Sequence, residues 1–276
     1  MSTKIGIIGC GAFGLSAALE LQKNKNYKVS VYDRSSDILA GATYANHNRH
    51  HYGFHYPRSQ QTIDQINEGK SVFEYYFKNA LFFNFHNYYC ISQKKTKTNN
   101  YNYEKFLIKN KLEFKKTKVN KNLFNQKTIK SVYRVNEGVY LHENLKKKYQ
   151  QRLKNSRVKL FLNHELIKVK NKSKIFFKYN NNTIKRFNFD IIVNASYSGY
   201  NDILNLFDVS TRQHEYNLQE LSVISFPNNH KIGITVMDGN FPSLLPCGNK
   251  GLHLLAHVKE SQLIKTSSKE NTLIKN

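Results

Sequence analysis

The start of the chain combines a short apolar run, a helical pattern and a second run of alternating polarity. Residues 4–9 are mostly isoleucine and glycine, a composition typical of a buried strand. Residues 12–21 carry alanine and leucine at helical spacing, and residues 28–32 alternate valine with polar side chains. A strand, a helix and a second strand in this order predict a βαβ unit with a parallel sheet.

The turn between this first strand and the helix has the glycine spacing GxGxxG, at Gly9, Gly11 and Gly14. Gly9 permits a tight turn, Gly11 lets a pyrophosphate approach the backbone, and Gly14 lets the helix pack closely on the strand. The N–H groups and the dipole of the helix N-terminus hold a phosphate, which makes Ala12 and Phe13 candidate contacts as well. The turn therefore predicts a dinucleotide-binding domain.

The residues after the second strand bear on which dinucleotide is bound. Asp33 lies where a carboxylate accepts hydrogen bonds from an adenosine ribose and disfavours a 2′-phosphate, although Arg34 beside it keeps NADP open. An NAD domain continues with further strand–helix units, whereas residues 34–58 form a polar, glycine-bearing loop before a helix at 60–79. This loop favours a flavoprotein with FAD as the cofactor. An NAD(P)-dependent dehydrogenase is the alternative.

The loop supplies polar side chains that suit a cofactor and an acidic substrate. Thr43 and Asn46 are candidates for hydrogen bonds to the FAD phosphates or ribityl chain, or else they cap the loop. Arg49 and Arg58 have the geometry to bind a substrate carboxylate through two hydrogen bonds. Their alternative role is pairing with a phosphate or with other surface groups.

Histidines are dense in the same loop. A histidine here can accept a proton beside a flavin because its pKa lies near neutrality, and His51 and His55 are the candidates. Tyr56 is a candidate for substrate contact, with plain packing as its alternative. His47 and His51 share the spacing of metal ligands on a helix, but no glutamate base lies between them and Pro57 disfavours a helix. No metal is predicted.

From Asn46 to Arg58 the loop reads Asn-x-x-Arg-x-His-x-Gly-x-His-Tyr-Pro-Arg. With this loop and the glycine turn, the sequence resembles the FAD-dependent oxidoreductases of the D-amino-acid oxidase-like superfamily. Further segments match the family in the same order, and these are residues 137–141, 143–155, 158–162, 165–169, 189–199 and 239–248. The resemblance covers roughly residues 4–260.

The resemblance implies an activity and site residues. The activity is hydride transfer to FAD from a C–H bond next to an amine or hydroxyl, in an amino acid or 2-hydroxy acid. Leu166 and Ile167 are expected where the backbone meets the adenine, and Ala195 and Gly199 where a turn closes over FAD. The catalytic candidates are His51, His55 and Arg49, and the substrate-binding candidates are Arg49, Tyr56 and Arg58.

The predicted fold is of the α/β class, with a Rossmann-like FAD-binding domain interleaved with a substrate domain built on a mixed or antiparallel sheet. The FAD-binding domain is expected at 1–75 and 137–205, the substrate domain at 76–136 and 206–260, and a polar tail at 261–276. Family members usually continue into a last strand and helix that return to the flavin. The sequence therefore also allows a truncated, non-catalytic dinucleotide-binding module.

Two local pairings are predicted in addition. Residues 180–182 should form a hairpin turn between strands at 175–179 and 183–187. Residues 222–226 and 232–237 should form a second pair of strands, joined by the turn at 227–230.

Composition adds little to this picture. The formal net charge is +24, but only eight of the 43 basic residues are arginine and the lysines are scattered along the chain. Such a surface attracts polyanions without specificity, so a small-molecule substrate is expected and a specific nucleic-acid partner is not.

The compartment is predicted from the cysteines and from hydropathy. No run approaches the roughly 20 apolar residues of a membrane helix. The cysteines, Cys10, Cys90 and Cys247, are odd in number and contain no CxxC pair, which argues against a disulfide framework and favours the reducing cytoplasm. The sequence does not indicate whether the protein is a monomer or an oligomer.

Overall fold

The computed structural model describes residues 2–171, 174–179, 183–225, 231–248 and 251–273. Within these residues the α-helices are α1 (Ala12–Leu21), α2 (Gln60–Phe77), α3 (Asn100–Lys109), α4 (His142–Lys154) and α5 (Tyr200–Leu206). The strands up to residue 170 are β1 (Thr3–Ile8), β2 (Tyr27–Tyr32), β3 (Leu81–Phe82), β4 (His86–Ser92), β5 (Phe114–Thr117), β6 (Ile129–Val135), β7 (Val139–Tyr140), β8 (Lys159–Phe161) and β9 (His164–Lys170). The later strands are β10 (Lys174–Tyr179), β11 (Thr183–Asn188), β12 (Ile191–Asn194), β13 (His214–Gln219), β14 (Ser222–Ser225), β15 (Ile232–Met237), β16 (Pro242–Cys247), β17 (Leu252–His257) and β18 (Gln262–Ser268). Short 3-10 helices cover Lys78–Ala80 and Tyr197–Gly199.

The chain divides into two compact units that interleave along the sequence. The first unit comprises Met1–Asn46, Lys146–Leu218 and Ile264–Asn276, and the second comprises His47–Leu145 and Gln219–Leu263. These boundaries differ from the predicted ones, because residues 47–58, here called the histidine-rich loop, and α2 belong to the second unit rather than to the nucleotide-binding one.

A four-stranded parallel sheet, in the order β12-β1-β2-β8, forms the first unit's centre. Ile5 and Ile7 of β1 pair with Val29 and Val31 of β2, and all four side chains are at most 2% exposed. Leu15 on the buried face of α1 is fully covered. Burial on both faces explains why β1 is a continuous apolar run. The predicted βαβ unit and the α/β fold class are confirmed.

A second, antiparallel sheet in the first unit consists of β9, β10 and β11. Tyr32, the last residue of β2, stacks on Phe161 and Phe177 with ring centroids 4.7 and 4.3 Å apart. Leu166 and Ile175 pack in the same cluster. The predicted pairing of β10 with β11 is confirmed, and its turn at 180–182 lies outside the described residues.

The segment predicted as a polar tail, 261–276, contains a strand, so that prediction is wrong. β18 pairs with β13 in a two-stranded sheet. The prediction rested on the polar composition of this segment. A strand can be polar when it is largely exposed, and most of β18 faces solvent, including Leu263 and Ile264. Backbone pairing rather than apolar burial holds this segment in the fold.

Two buried asparagines fasten the C-terminal segment within the first unit. Asn201, 0% exposed, donates hydrogen bonds to the carbonyls of Arg212 (2.6 Å) and Lys269 (2.8 Å). Asn271, 3% exposed, donates to the carbonyl of Ser198 at 3.1 Å. These bonds connect the end of the chain to the turn that precedes α5.

Removal of the Asn271 amide should destabilise the first unit. Asn271→Ala leaves the Ser198 carbonyl without the hydrogen bond from a buried donor, and we expect the free energy of unfolding to fall by about 1–3 kcal/mol. The exposed Asn205→Ala is the control and should stay within about 0.5 kcal/mol of the parent. Denaturant titration measures both, and equal values for the two variants would contradict the fastening role.

The second unit is built on a seven-stranded mixed sheet in the order β14-β17-β16-β15-β4-β6-β5. β15 runs parallel to β4, and the other neighbours are antiparallel. The predicted pairing of residues 222–226 with 232–237 is wrong, because β14 pairs with β17 while β15 lies between β16 and β4. Residues 226–230, which include the predicted turn, are outside the described ranges. The prediction of a local hairpin is wrong because β14 and β15, although consecutive in the chain, are separated in the sheet by β17 and β16.

Aromatic side chains dominate the core of the second unit. Tyr89, Tyr103 and Tyr133 are fully buried and pack with Phe54 and Met237. Tyr103 donates its hydroxyl hydrogen bond to the carbonyl of Phe54 at 2.9 Å. Phe54 belongs to the histidine-rich loop, so this core holds the loop against the sheet.

No helix within the described ranges is long and apolar enough to cross a membrane.

Candidate functional site

The glycine turn of the first unit has the close contacts that the sequence predicts. Gly9 has φ +109°, and a Cβ there would lie 2.5 Å from the carbonyl oxygen of Ala195. A Cβ on Gly14 would lie 1.9 Å from the Gly9 carbonyl oxygen. Since both obstacles are backbone atoms, neither position accepts a side chain without moving β1, α1 or the end of β12.

Gly11 differs from the other two glycines because it faces open space. A Cβ there would meet only the Thr43 hydroxyl, at 3.5 Å. Gly11 caps α1 in an extended conformation without a side-chain cap, and the Ala12 N–H donates to the Thr43 hydroxyl at 3.2 Å. Phe13 is 88% exposed. An open surface at a helix N-terminus suits the pyrophosphate of FAD, so the residues present fit the predicted cofactor.

Asp33 follows β2 and is hydrogen-bonded to the glycine turn. Its Oδ2 accepts a hydrogen bond from the Cys10 N–H at 2.7 Å, and its Oδ1 accepts one from the Ser35 N–H at 2.8 Å. These bonds fix the carboxylate beside the glycines. Each oxygen keeps a second lone pair, which is what an adenosine ribose hydroxyl needs.

The other predicted cofactor residues also lie in the first unit. The Ala195 N–H donates to the Ile8 carbonyl at 2.8 Å, and Gly199 ends the 3-10 helix that follows. Asn46 donates its amide to the carbonyls of Ala42 and Thr43, which is the capping role named as its alternative. The remaining three are Arg34, which is exposed, and Leu166 and Ile167, which lie in β9.

In the second unit Arg49 is the centre of a buried polar network. Its NH1 donates to the Tyr89 hydroxyl at 2.5 Å and to Glu137 Oε2 at 3.0 Å, and its NH2 donates to the Thr235 hydroxyl at 2.8 Å. The Tyr89 hydroxyl also donates to Glu137. The side chains of Arg49 and Glu137 are 4% and 0% exposed. Burial opposes the Arg49 charge, but Tyr89 and Glu137 raise the pKa of its guanidinium.

Glu137 also fixes the histidine-rich loop. Its Oε1 accepts a hydrogen bond from the Tyr52 N–H at 2.9 Å and lies 4.0 Å from His51 Nδ1. One carboxylate therefore holds the loop through a side chain, Arg49, and through a backbone group at Tyr52. This arrangement brings Arg49, predicted for substrate carboxylate, onto an internal carboxylate instead.

The predicted histidines lie near one another in the second unit. The His51 and His55 ring centroids are 6.1 Å apart, and the Tyr56 hydroxyl is 3.3 Å from His51 Nε2. His47 Nδ1 lies 3.5 Å from the Ser243 hydroxyl. In the histidine-rich loop three buried ring nitrogens have no hydrogen-bond partner within the described part of the chain, and these are His47 Nε2, His51 Nδ1 and His55 Nδ1.

Partial burial keeps these three histidines neutral, although the His51 side chain is still 32% exposed. Burial, with the nearby Arg49 charge, lowers the pKa of His47 to about 4 and that of His51 to about 3. The same causes lower the pKa of His55 to about 4. At neutral pH each ring therefore has one unprotonated nitrogen that can accept a hydrogen bond or a proton.

The stability of the second unit should fall on mild acidification. In the unfolded chain these histidines bind protons below about pH 6.5, whereas in the folded chain His51 resists protonation down to about pH 3. The unfolded state then binds more protons, so the unfolding temperature should drop as the pH falls from 6.5 to about 5. His51→Gln should reduce the slope by about a third, because one of three similar groups is lost. An unfolding temperature that does not change over this pH range in the parent protein would contradict the lowered pKa values of the half-buried histidines.

Arg58 pairs with a carboxylate that sequence reasoning did not identify. Its Nε and NH2 donate to Asp238 at 2.5 and 3.2 Å, and the Thr98 hydroxyl donates to the same carboxylate at 2.9 Å. The Arg58 side chain is 56% exposed. Arg58 is thus held in one orientation at the surface of the second unit.

Sequence reasoning also missed Tyr89, Glu137 and Thr235. Glu137 lies in a segment that matched the family, but nothing in its local pattern marks a buried carboxylate. One signal points to it, because a buried arginine needs an acidic partner and the chain has only 19 acidic residues.

The described residues contain no group of three or more histidine, cysteine or acidic side chains placed to hold a metal ion.

The family profile of the FAD dependent oxidoreductases, DAO, matches residues 4–208, well over half of the chain. A stretch of 65 residues, 24% of the chain, is 40% identical to the FAD-dependent monooxygenase kojA of Aspergillus flavus. The probable FAD-dependent monooxygenase kojA of Aspergillus oryzae matches to the same extent. The matched stretch spans only 15% of the length of each fungal protein.

Solved structures share the fold at low identity. Glycine oxidase from Geobacillus kaustophilus is 12% identical with a TM-score of 0.74, over 97% of this chain and 73% of that chain. L-proline dehydrogenase from P. horikoshii is 14% identical with a TM-score of 0.71, over 97% and 73%. L-alpha-glycerophosphate oxidase from Mycoplasma pneumoniae, with FAD bound, is 13% identical with a TM-score of 0.68, over 98% and 73%. At these identities the likeness shows the fold alone.

The profile match, the glycine turn and the shared fold agree with one another and favour FAD over the NAD(P)-dependent alternative. The chain therefore belongs to the DAO family of FAD dependent oxidoreductases, enzymes whose cofactor is FAD.

Proposed function

We propose that this protein oxidises a C–H bond next to an amine or hydroxyl, in an amino acid or a 2-hydroxy acid. When bound, FAD supplies the acceptor for a hydride from the substrate carbon. The substrate must also lose a proton from its nitrogen or oxygen to become an imine or a ketone. The observation that carries the proposal is the cluster of half-buried, neutral histidines, because it provides acceptors for that proton.

We assign the proton transfer to His51 and His55. Both rings have a buried nitrogen without a hydrogen-bond partner among the described residues. Because their pKa values are about 3 and 4, either ring would hold the proton only briefly before it passes to solvent. Tyr56, whose hydroxyl lies 3.3 Å from His51 Nε2, is the proposed substrate contact in this cluster.

Arg49 has a positioning role in this proposal rather than direct contact with a substrate carboxylate. Its guanidinium is occupied by Glu137, Tyr89 and Thr235, and the side chain is 4% exposed. The substrate class is supported instead by the names of structural neighbours. Glycine oxidase and L-proline dehydrogenase are named for amino acids, and L-alpha-glycerophosphate oxidase for an alcohol.

The test is anaerobic reduction of the FAD-loaded protein by a panel of amino acids and 2-hydroxy acids. A substrate should abolish the absorbance of oxidised flavin. A 2-hydroxy acid should give one equivalent of a 2-oxo acid, a primary amino acid should give a 2-oxo acid and ammonia after hydrolysis of the imine, and a cyclic amino acid should give the imine. His51→Gln and His55→Gln should slow reduction by about a hundredfold without changing FAD affinity. His86→Gln, at an exposed position of the second unit, is the control and should reduce at the parent rate. Flavin that stays oxidised with the whole panel would overturn the proposal and favour the non-catalytic module.

We also propose a cytoplasmic location. Cys10, Cys90 and Cys247 are free thiols, and the first two are buried. Free thiols are typical of proteins that fold in a reducing compartment. Fractionation of the native host would test this.

A further inference from the structure

A cleft in the second unit lies where the histidine-rich loop meets helices α2 and α3. Its volume is about 330 Å³, within the range of small-molecule sites. Its lining residues are Pro57, Arg58, Gln60, Lys105, Phe106, Lys109 and Asn110. The lining thus contains three cations and no acidic side chain, together with two amides, a proline and a phenylalanine.

The two lysines are a source of uncompensated positive charge. Lys105 and Lys109 are four residues apart, which places them on the same face of α3. Neither forms an ion pair within the described ranges, and the Lys105 ammonium instead lies 4.5 Å from the centroid of the Tyr101 ring. The first turn of α2, which begins at Gln60 on this cleft, contains no acidic side chain. The positive end of that helix dipole adds to the field of the lysines.

Arg58 is preorganised at the rim of the same cleft. Asp238 holds its guanidinium through Nε and NH2, so the remaining NH1 group keeps its direction without loss of side-chain entropy on binding. The amide of Gln60 is also fixed, because its Nε2 donates to Asn110 Oδ1 at 2.9 Å and to Asp64 Oδ1 at 3.0 Å, and Asp64 is not among the lining residues. The cleft therefore offers a guanidinium held by Asp238 and two ammonium groups that form no ion pair within the described part of the chain.

We propose that this cleft binds a phosphate monoester of a compact, flat organic group. A phosphate monoester carries a charge of about −1.5 to −2 at pH 7 and has three strong acceptor oxygens, which match one guanidinium and two ammonium groups. Phe106 and Pro57 provide an apolar wall for the organic group. A carboxylate brings only one negative charge and suits this cation set less well. Binding here does not depend on the proposed oxidation, so the two can fail separately.

The test uses isothermal titration of the FAD-loaded full chain with phenyl phosphate, inorganic phosphate, benzoate and phenol. Phenyl phosphate should bind most tightly, and phenol should not bind. Lys105→Gln with Lys109→Gln should weaken phenyl phosphate binding by about tenfold or more. The control pair, Lys121→Gln with Lys127→Gln, removes the same charge from exposed positions of the second unit and should change binding by less than about twofold. Phe106→Leu should bring the affinity for phenyl phosphate down to that for inorganic phosphate.

Three outcomes would overturn this proposal. The first is no binding of phenyl phosphate to the parent protein. The second is an equal loss in both lysine pairs, which would mean a general effect of net charge. The third is binding of benzoate as tightly as phenyl phosphate, which would exclude the phosphate ester as the preferred class. The thermal unfolding curves of all variants show whether each one is folded before it is titrated.

Discussion

Replacement of Glu137 by glutamine should lower the free energy of unfolding by about 3–5 kcal/mol. Glu137 is fully buried and is the only carboxylate among the described residues that forms an ion pair with Arg49. Glutamine has almost the same shape, but it leaves the Arg49 charge in the core without a counter-charge and turns an amide toward the Tyr89 hydroxyl. Denaturant and thermal unfolding of the FAD-free protein would measure the loss.

The control for this prediction is Glu104→Gln, at an ion pair of the same unit. Glu104 lies 2.8 Å from Lys116, and the two side chains are 31% and 52% exposed. Because solvent screens this pair, its removal should cost no more than about 1 kcal/mol. If both variants lost the same stability, burial would not be the reason for the Glu137 effect.

A double variant keeps the prediction testable if Glu137→Gln does not fold. Arg49→Met combined with Glu137→Met removes both charges and fills a similar volume. Such replacements of a buried pair are often neutral or stabilising, so the double variant should recover much of the stability. It should nevertheless position the histidine-rich loop poorly, because the hydrogen bond from the Tyr52 N–H is lost. Slow flavin reduction in a stable protein would separate these two effects.

The second large effect is expected at the glycine turn. Gly14→Ala places a methyl group 1.9 Å from the Gly9 carbonyl oxygen, so α1 must move away from β1. We expect a loss of about 1–3 kcal/mol in stability and a fall of about tenfold or more in FAD affinity. Titration of the apoprotein with FAD, followed by flavin fluorescence, gives the affinity, and unfolding without FAD gives the stability.

Variants at Gly11 and Gly41 distinguish an effect on stability from an effect on FAD affinity. Gly11→Ala meets no atom closer than 3.5 Å, so the FAD-free protein should keep its stability while FAD affinity falls by about tenfold. Gly41→Ala meets nothing within 4 Å and lies in the same unit, so both quantities should stay unchanged. Normal FAD affinity in Gly11→Ala would mean that the pyrophosphate does not approach this turn.

The glycine turn could be predicted from the sequence because its geometry is local. Gly9, Gly11 and Gly14 lie within six residues of one another, and the contact that requires Gly14 arises between the strand and the helix that follows it directly. The contact that excludes a side chain at Gly9, with the Ala195 carbonyl oxygen, comes from the distant end of β12. The buried core of the parallel sheet is similar, since β1 is apolar on both faces and its pattern shows this. Regular periodicity and short-range steric rules were sufficient for these parts.

The partners of the site residues could not be predicted in the same way. Arg49 and Glu137 are 88 positions apart, and Arg58 and Asp238 are 180 apart. The sequence marked both arginines as functional, but not which carboxylate each would meet. The order of strands in the second unit could not be predicted for the same reason, because β4 and β15 are parallel neighbours in the sheet although they are far apart in the chain.

The sequence by itself determined the α/β fold, the glycine turn and the FAD-binding family of this protein. Each of these leaves a local pattern in the chain, either a periodicity or a short motif. Only the tertiary structure decided that Arg49 is internal, that Arg58 lines a cationic cleft, and that the C-terminal segment is a strand rather than a tail. The physical reason is that burial and charge pairing depend on which distant segments meet. A carboxylate and an arginine that are far apart in the chain can pair only after folding brings them within hydrogen-bond distance.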